Sequence, residues 1–286
     1  MYKTLTGYNQ LFKGRNKVIL WMNYFVTFFY ILILIIPIYY LIVSSFKTNP
    51  EIFAKPLNFP ENWSFLNFIR VQEYVNIFRA MFYSAWIAAV SEVLILVISF
   101  LASYALARIP NRMAGAVEAF FSLGFLIPAF AILVPVFMLA AQTHLLYNPI
   151  FLILFYTATR LPFTIIVLAS TMREIPVQLE EASVCDGANL FQILRHIIFP
   201  LTRSGIATVL ILNFISIWNE YMFALVLLNQ DTRTLQLVLP LLKTQRVVEV
   251  GLVFAGVIIA TIPIIILFIL FQERIMSGIF SGSIKE

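Results

Sequence analysis

The stretch REIPVQLEEASVCDGANLFQILRHIIFP, residues 173–200, is the one polar passage of this chain that insertion into a membrane does not explain. It predicts a helix, a glycine break and a second helix. Pro176 suits a first helical position, because its missing N–H would be unpaired there anyway. Glu180 and Glu181 follow in the early turns, where the helix dipole favours negative charge. Gly187 then supplies a residue that can adopt positive φ where the first helix ends.

The second helix of this passage has its own start and stop signals. Asn189, with Gln192 three residues later, resembles a capping box, and Pro200 is expected to close the helix. One apolar face recurs at helical spacing, formed by Phe191, Leu194 and Ile198. A solvated loop between two membrane segments would be equally polar, so the helical pattern alone leaves both interpretations open.

The composition places this chain in a membrane. Of its 286 residues, 61% are hydrophobic and 12% are charged, and the mean hydropathy is +0.93. A soluble core of this length cannot hide so much apolar surface, so we expect an all-α integral membrane protein. The net charge of +5 comes from basic residues at the ends of apolar segments, which is typical of orientation signals and not of nucleic-acid binding. The single Cys185 excludes a disulfide within the chain.

Apolar segments define the expected topology. Six are long enough to cross a bilayer as helices, at about residues 18–43, 83–106, 118–141, 149–171, 205–228 and 250–271. Residues 1–17 are basic and contain no acid, whereas the turn at 142–148 has no Lys or Arg, which predicts that the N-terminus is cytoplasmic. We therefore expect six spans over residues 18–271 with both termini cytoplasmic. The polar loop, residues 172–201, would lie in the cytoplasm between spans four and five, and residues 272–286 would form a cytoplasmic tail.

The polar loop resembles a known motif. Glu181-Ala182-Ser183, Asp186-Gly187-Ala188, Ile197 and Pro200 resemble the EAA motif of permease subunits of binding-protein-dependent ABC importers. In that family the loop docks as a coupling helix into a cleft on the ATP-hydrolysing subunit. Two positions depart from the usual motif, Ser183 in place of alanine and Phe199 in place of leucine. The resemblance implies a docking role for the following residues: Glu180, Glu181, Ala182, Ser183, Asp186, Gly187, Ala188, Ile197 and Pro200.

Three further passages resemble the carbohydrate branch of that family, the maltose-type permeases. They are WNEYMFAL at residues 218–225, Ile262-Pro263, and FQERIMSGIFSGSIK at residues 271–285. The resemblance implies import of a sugar or oligosaccharide across a bacterial inner membrane. It also implies several partners: membrane lipid, a second homologous permease, two ATP-binding subunits that would hold the ATP and Mg, and an extracytoplasmic substrate-binding protein.

The tail carries a further implied contact. In maltose-type permeases this segment reaches toward the interface of the two ATPase subunits, which implies a tail contact for Ser277, Gly278, Ser281 and Gly282. Composition alone favours disorder at such a chain end. Residues 284–286 depart from the family's usual ending. We therefore expect the tail to be ordered only in an assembled complex.

The sequence contains no signature of chemistry of its own. It has no GxxxxGK[ST] pattern, so no phosphate-cradling loop is expected in this chain. His144 and His196 are far apart and lack HExxH spacing, which argues against a zinc peptidase. We expect a non-catalytic subunit without catalytic residues, metal ligands or a cofactor of its own.

Charged residues in apolar segments are functional candidates, because charge at bilayer depth is costly. Those in or near expected spans are Glu92, Glu118, Arg160 and Glu220. A substrate path for a sugar would need hydrogen-bonding groups beside aromatic rings. That combination occurs once in the fifth segment, at Trp218, Asn219, Glu220 and Tyr221. The same residues could instead stabilise an interface with a partner.

Two other classes of protein compete with this interpretation. A secondary transporter driven by an ion gradient would need several buried carboxylates and repeated broken helices, and acids are sparse here. An intramembrane enzyme would need a paired nucleophile and base, which the sequence does not offer.

Small residues four apart in the sixth segment, Gly251 with Ala255 and Gly256 with Ala260, predict close helix packing and not a ligand site.

Overall fold

Helices make up all the regular structure of the described residues. A computed structural model describes residues 17–108, 112–124, 128–243 and 249–283. In chain order the helices are α1 (Lys17–Ser44), α2 (Asn49–Ala54), α3 (Leu66–Val75), α4 (Ile77–Arg108), α5 (Arg112–Leu123), α6 (Ala129–Gln142), α7 (Pro149–Arg173), α8 (Gln178–Cys185), α9 (Leu190–Ile193), α10 (Phe199–Leu201), α11 (Arg203–Trp218), α12 (Met222–Leu227), α13 (Leu235–Val238) and α14 (Val250–Ser283). A π-helical turn, Leu194–Ile198, joins α9 to α10, and 3-10 turns occupy Gln230–Thr232 and Leu239–Lys243.

Four of these helices are long and apolar enough to cross a membrane. They are α1 from Ile19, α4, α7, and α14 as far as Gln272. Leu190–Leu201 and Arg203–Trp218, which are bent by 73° at their junction, add a fifth if the pair is counted as one span. The expected first, second, fourth and sixth segments are confirmed as helices, and α1 continues through Pro37. Residues 1–16 and 284–286, assigned from the sequence to the two ends, lie outside the described residues.

The third expected span, residues 118–141, is divided between two shorter helices. α5 ends at Leu123 and α6 begins at Ala129, with residues 125–127 outside the described part of the chain. Pro128 lies at the N-cap of α6 with extended backbone angles, φ −62° and ψ 132°. Proline has no N–H to donate and disfavours helical geometry in the residue before it, so the break at this point follows from covalent structure.

The fifth expected span, residues 205–228, is also interrupted. α11 ends at Trp218 and α12 begins at Met222. The sequence shows neither Gly nor Pro at residues 219–221, so propensity did not indicate a break. The interruption depends instead on a side chain that bonds to the backbone, Glu220, which is described with the candidate site below.

The last helix is longer than the expected sixth span. Its apolar part extends from Val250 to Gln272, and the backbone stays helical to Ser283. The boundary expected at residue 271, between the sixth span and the tail, is therefore a change from apolar to polar residues within one helix. Helical hydrogen bonds are made within the segment itself, so a polar sequence can continue a helix that an apolar one began. The side chains beyond Gln272 lie outside the described residues.

The chain divides into two compact units. The first contains residues up to Arg70 together with Glu249–Ile258. Lys47 is only 1% exposed in this unit, and its Nζ donates to the carbonyl oxygens of Lys55 (2.8 Å) and Pro56 (3.3 Å). Arg70 and Glu249 form an ion pair at 2.7 Å. Buried polar groups are stable only when hydrogen-bonded, so these contacts hold the unit's loops in place.

The second unit contains Val71–Val248 and the rest of α14 from Ile259. α4 and α7 pack side by side in it, and Ser103 Oγ on α4 donates to the carbonyl oxygen of Ile165 at 3.0 Å. A first apolar core joins α4, α7, α11 and α12 through buried residues that include Ile87, Leu152 and Ile217. A second core lies beside the polar loop and is described with the site.

Gly251 lies where two backbone segments of the first unit approach closely. A Cβ at this position would lie 2.6 Å from the Lys47 carbonyl oxygen and 2.6 Å from Asn67 Nδ2. Asn67 Nδ2 itself donates to the carbonyl oxygens of Ser45 and Lys47, so it is not free to move away. The close packing expected from the small residues of this helix is therefore confirmed at Gly251.

Gly251→Ala should destabilise the protein by about 1–3 kcal/mol, because backbone and a fixed amide must shift to admit the methyl group. Gly115→Ala is the matched control, since a Cβ there meets no heavy atom within 4 Å. The control should be neutral or slightly stabilising, as alanine is the better helix former. Denaturation of the purified protein in mixed micelles measures both. Equal midpoints for the two variants would contradict this account of Gly251.

Candidate functional site

The polar loop forms a helix, a sharp turn and a second helix, as expected. α8 ends at Cys185, and Gly187 follows with φ +85°, the left-handed conformation that glycine adopts at little cost. Asn189 Oδ1 accepts from the backbone N–H of Gln192 at 2.9 Å, and Gln192 Oε1 accepts from the N–H of Asn189 at 2.8 Å. The predicted capping box and positive φ are therefore confirmed. Pro176 differs slightly, because it lies just before the N-cap residue Val177 and not at the first helical position.

The second helix of the loop does not end at Pro200. The helical backbone passes through the π turn and α10 to Leu201, and Thr202 marks the bend. Thr202 Oγ1 donates to the carbonyl oxygen of Ile198 at 2.8 Å. The backbone N–H of Thr202 donates to the same carbonyl oxygen at 2.9 Å, and a threonine side chain that adds its own bond to this carbonyl often accompanies a bend in a helix.

Glu180 points into the protein, unlike its neighbour. Arg108 at the end of α4 pairs with Glu180 Oε1 at 2.6 Å, and the Tyr104 hydroxyl donates to Oε2 at 2.8 Å. Both side chains of the ion pair are about nine-tenths buried, at 13% and 10% exposure. Arg108 also donates to the carbonyl oxygen of Ile175 at 3.2 Å. Glu180 therefore fixes α8 to α4, while Glu181 remains exposed.

The outer face of the loop brings most of the motif residues together. Five motif residues of the loop are exposed, namely Glu181, Ala182, Asp186, Gly187 and Pro200. A shallow concavity of about 350 Å³ is lined by further motif residues, namely Ser183, Asp186, Gly187, Ala188 and Ile197, together with Gln192, Ile193 and His196. We call these exposed residues and the lining of the concavity the motif surface of the loop.

Apolar contacts connect the inner face of the loop to the membrane helices. Ile175, Ile193 and Ile198 from the loop are buried against residues of α7 and α11. The partners that share this second core are Leu168, Met172 and Val209. Close packing of this kind fixes the inner face of the loop to α7 and α11.

Glu220 has a structural role in the interrupted fifth segment. Its carboxylate accepts from the backbone N–H groups of Phe223 (2.8 Å) and Ala224 (3.0 Å), which would otherwise lack partners at the start of α12. The Tyr156 hydroxyl on α7 donates to the same carboxylate at 2.6 Å. Glu220 therefore supports the backbone break and ties it to α7.

The other residues expected near a substrate path divide into two groups. Trp218 is 2% exposed, and its Nε1 donates to the carbonyl oxygen of Ala260 at 3.1 Å. Asn219 and Tyr221 are exposed. Asn219 donates to the carbonyl oxygen of Ile215 at 2.9 Å and accepts from Gln236 at 3.1 Å. Of the four expected path residues, Asn219 and Tyr221 are therefore exposed, Glu220 is partly exposed and Trp218 is buried.

The three other charged residues of the apolar segments, Glu118, Glu92 and Arg160, have different surroundings. Glu118 on α5 forms an ion pair with Arg173 at the end of α7. Glu92 is 6% exposed, and neither carboxylate oxygen has a hydrogen-bond partner within the described residues. Arg160 is near enough to interact electrostatically with Glu92 and Glu220. Glu118 is thus explained by packing of α5 on α7. Glu92 on α4 is buried, and the charged group that faces it, Arg160 on α7, is partly buried.

The tail residues Ser277, Gly278, Ser281 and Gly282 all lie in the helical backbone of α14. Their side chains lie outside the described residues. The structure therefore gives their secondary structure alone, and the expected contact with ATPase subunits stays a prediction.

Comparison with known proteins identifies the family of this chain. The family described as "Binding-protein-dependent transport system inner membrane component" matches residues 95–280, which include the motif and the interrupted fifth segment. The chain belongs to this family. It is therefore a multi-pass inner-membrane protein and a permease subunit of an ABC importer, one of a family of non-catalytic transport components that work with a binding protein.

Several curated relatives of this permease align over most of its length. The sulfoquinovosyl glycerol transport system permease protein SmoH of Agrobacterium fabrum is 30% identical over 251 residues, 87% of this chain and 88% of the relative. The diacetylchitobiose uptake system permease protein NgcG of Streptomyces coelicolor is 28% identical over 256 residues, covering 88% and 85%. The melibiose/raffinose/stachyose import permease protein MelC of Bacillus subtilis is 29% identical over 252 residues, covering 87% and 91%.

A solved structure shares the fold of this permease. It is a bacterial ABC transporter involved in the import of the acidic polysaccharide alginate, with a TM-score of 0.79 at 22% sequence identity. The similarity covers 91% of this chain and 97% of that chain. At this identity the comparison shows the fold alone.

Three residues that support the site could not be assigned from the sequence. Arg108 is one of the basic residues at the ends of apolar segments, which indicate only topology, and Tyr104 and Tyr156 belong to no motif. Their partners, Glu180 and Glu220, are more than sixty residues away in sequence. A tyrosine or arginine in an apolar helix is a weak signal that its side chain pairs with a buried carboxylate, and it does not indicate which carboxylate.

Glu180→Gln should destabilise the permease by about 3–5 kcal/mol, because it leaves the buried Arg108 guanidinium without its counter-charge. Glu181→Gln is the matched control, since it makes the same chemical change at the adjacent, exposed position. The control should change stability by less than about 0.5 kcal/mol. Detergent denaturation of the purified variants measures the difference. A control as destabilised as Glu180→Gln would contradict the assigned positions of the two carboxylates.

Proposed function

We propose that this permease forms half of the translocation pathway of an ATP-driven importer for a sugar or oligosaccharide. A second, homologous permease would supply the other half. Two ATP-binding subunits would bind ATP and Mg, and an extracytoplasmic binding protein would deliver the solute. The observation that carries this proposal is the exposed motif surface of the polar loop, whose inner face is held to α4, α7 and α11.

The proposed coupling step is a rigid-body movement. The ATPase subunits would engage the outer face of the loop, at Glu181, Ala182, Asp186 and Gly187, and the concavity beside them. Closure of these subunits would displace the loop. The buried Glu180–Arg108 pair and the apolar core would then carry the displacement into the membrane helices. In this step Glu180 would hold α8 against α4 and would not itself contact the ATPase subunits.

The proposed topology has six spans with both termini in the cytoplasm. α5 with α6 would make the third span, and α11 with α12 the fifth, each interrupted within the membrane. Interrupted helices are tolerated at membrane depth where protein groups satisfy the freed backbone, as Glu220 does for α12. This topology leaves the motif and the tail on the same side of the membrane.

Substrate class is proposed from the relatives and from the interrupted fifth segment. The relatives named above are permeases of systems for diacetylchitobiose, sulfoquinovosyl glycerol and melibiose, raffinose or stachyose. In this chain Asn219 and Tyr221 are exposed at the break between α11 and α12. An amide suits sugar hydroxyl groups, and an aromatic ring suits the C–H face of a sugar. Trp218 and Glu220 would support these two residues from behind.

Gly187→Val should uncouple the assembled transporter. Valine strongly disfavours the φ of +85° found at this position, at a cost of about 1–2 kcal/mol, so the turn between α8 and α9 must change shape. Transport and binding-protein-stimulated ATP hydrolysis should both fall at least fivefold while the subunit still inserts. Proteoliposomes containing the purified complex, its binding protein and an oligosaccharide measure both activities.

The matched control is Gly115→Val, an exposed helical glycine with no heavy atom within 4 Å of an added Cβ. It should retain both activities. Wild-type stimulated ATP hydrolysis by Gly187→Val would refute the coupling role of the motif. In the same vesicles the permease without its partners should transport nothing, and uptake driven by a proton or sodium gradient would favour a secondary transporter.

The tail is proposed to contact the ATPase pair in the assembled complex, through Ser277, Gly278, Ser281 and Gly282. The helical backbone of α14 beyond Gln272 supports this, because it projects the tail past the apolar part of the helix. Ser281→Cys should cross-link to the ATPase subunits in membrane vesicles. Both variants carry Cys185→Ser, because Cys185 is exposed in the polar loop, and Ser64→Cys, exposed between α2 and α3 on the opposite side of the membrane in the proposed topology, is the control that should not cross-link. Labelling of Ser281→Cys from outside intact cells would contradict both the contact and the topology.

A further inference from the structure

A concavity of about 400 Å³ lies in the second unit, at the end of α7 that is remote from the polar loop. Its lining includes Phe137 of α6, Tyr147 of the turn before α7, and Asn229 and Arg233 of the segment after α12. Leu228, also in the lining, belongs to the first apolar core, so the concavity is built on a packed part of this unit. Its volume falls in the range of about 300–1,000 Å³ that is typical of small-molecule sites.

Two aromatic residues of the lining are exposed. Tyr147 has φ +66°, a left-handed conformation that bulky residues rarely adopt. Residues held in such conformations cluster at ligand-binding positions, where the surrounding structure fixes them. Phe137, at 37% exposure, is the second aromatic residue. The lining thus offers rings of the kind that pack on the C–H face of a sugar.

Two polar side chains of the lining have hydrogen-bond donors to spare. Asn229 Oδ1 accepts from the backbone N–H groups of Asp231 (3.0 Å) and Thr232 (3.1 Å), whereas the amide NH₂ group has no partner within the described part of the chain. Arg233 is partly exposed, and no carboxylate of the described residues lies within ion-pair distance of it. The nearby Asp231 pairs instead with Arg79 at 3.5 Å. An amide and a guanidinium can therefore donate to hydroxyl groups in the concavity.

Helix α12 connects this concavity to the exposed stretch between α11 and α12. Leu225 lines the concavity, and its N–H donates to the carbonyl oxygen of Tyr221, one turn earlier, at 2.9 Å. Residues four apart lie on the same face of a helix, so Tyr221 and the concavity share one face of α12. The six residues of α12 span about 9 Å. A short oligosaccharide therefore reaches from one to the other.

We propose that this concavity is an outer sugar subsite of the permease. One ring of an oligosaccharide packs on Tyr147, while the Asn229 amide and the Arg233 guanidinium donate to its hydroxyl groups. In the proposed topology the concavity is extracytoplasmic, because the motif at the other end of α7 is cytoplasmic. The inference rests on the proposed function, and it adds a binding step before the solute reaches Asn219 and Tyr221.

Protection of an introduced cysteine measures binding at this subsite. Gln230→Cys, at an exposed position of the lining, is combined with Cys185→Ser in the full chain, and the purified complex is treated with a membrane-impermeant maleimide. The probes are raffinose, stachyose and diacetylchitobiose, each added without the binding protein. Uptake of each sugar by proteoliposomes that include the binding protein is measured in parallel.

A transported sugar should slow the labelling of Gln230→Cys by about fivefold when most sites are occupied, because the bound sugar excludes the reagent. Gln142→Cys is the matched control, since Gln142 is exposed in the same unit and lies outside the lining. Its labelling should not change when sugar is added.

Substitutions in the lining identify the residues that bind. Tyr147→Gly removes the ring and introduces the residue that adopts φ +66° most easily, so it should not impair folding. It should raise the sugar concentration for half-maximal protection about tenfold, or ~1.4 kcal/mol, whereas Tyr147→Phe keeps the ring and should preserve protection. Arg233→Gln should weaken protection in the same way. Arg203→Gln makes the same change at an exposed arginine outside the lining and should have no effect.

The two assays separate failure of the subsite from failure of the proposed function. A sugar that is transported but does not protect Gln230→Cys would overturn the subsite and leave the proposed function intact. Protection that survives both Tyr147→Gly and Arg233→Gln would also overturn it. Protection by the binding protein without sugar, and by none of the sugars, would overturn it in favour of a protein contact. Failure of all three sugars in both assays would overturn the subsite together with sugar import.

Discussion

The buried ion pair between Glu180 and Arg108 is the interaction on which the arrangement of this permease depends. Burying two charges is costly unless their geometry is good and their remaining hydrogen-bonding capacity is used. Here the Tyr104 hydroxyl and the Ile175 carbonyl oxygen complete the set. The pair fixes α8 to the end of α4, and because successive residues of a helix point in different directions, it leaves the next carboxylate, Glu181, on the outer face.

A second constraint comes from the backbone of the interrupted fifth segment. In a bilayer, unpaired N–H groups are costly, so a break between two helices requires local acceptors. Glu220 supplies them for the first turn of α12, and Tyr156 anchors its carboxylate to α7. The cluster around Trp218 is therefore built largely from supporting residues. The exposed part of this cluster is the stretch between α11 and α12, which presents the Asn219 amide and the Tyr221 ring.

Local features of the loop were predictable because their causes lie within a few residues. Gly187 adopts positive φ because glycine lacks a Cβ, and Asn189 caps α9 because its side chain reaches the N–H of Gln192. The four long helices α1, α4, α7 and α14 could likewise be predicted from the sequence, since a membrane-spanning helix needs about 20 apolar residues. The two breaks differ in this respect. Pro128 is a local sequence signal for the break before α6, whereas residues 219–221 contain neither Gly nor Pro, so the break before α12 has no such signal.

The sequence by itself determined that this is a helical membrane protein, that a helix, a glycine turn and a capped second helix follow α7, and which motif residues belong together. Tertiary structure decided which of those residues are available. Glu180 and Glu181 are adjacent and chemically alike, yet one is buried against Arg108 and the other is exposed. Trp218 is likewise buried and donates a hydrogen bond to the carbonyl oxygen of Ala260, while the Tyr221 side chain is exposed. The physical reason is that burial and pairing depend on groups distant in sequence, whereas helix length, capping and backbone freedom depend on near neighbours.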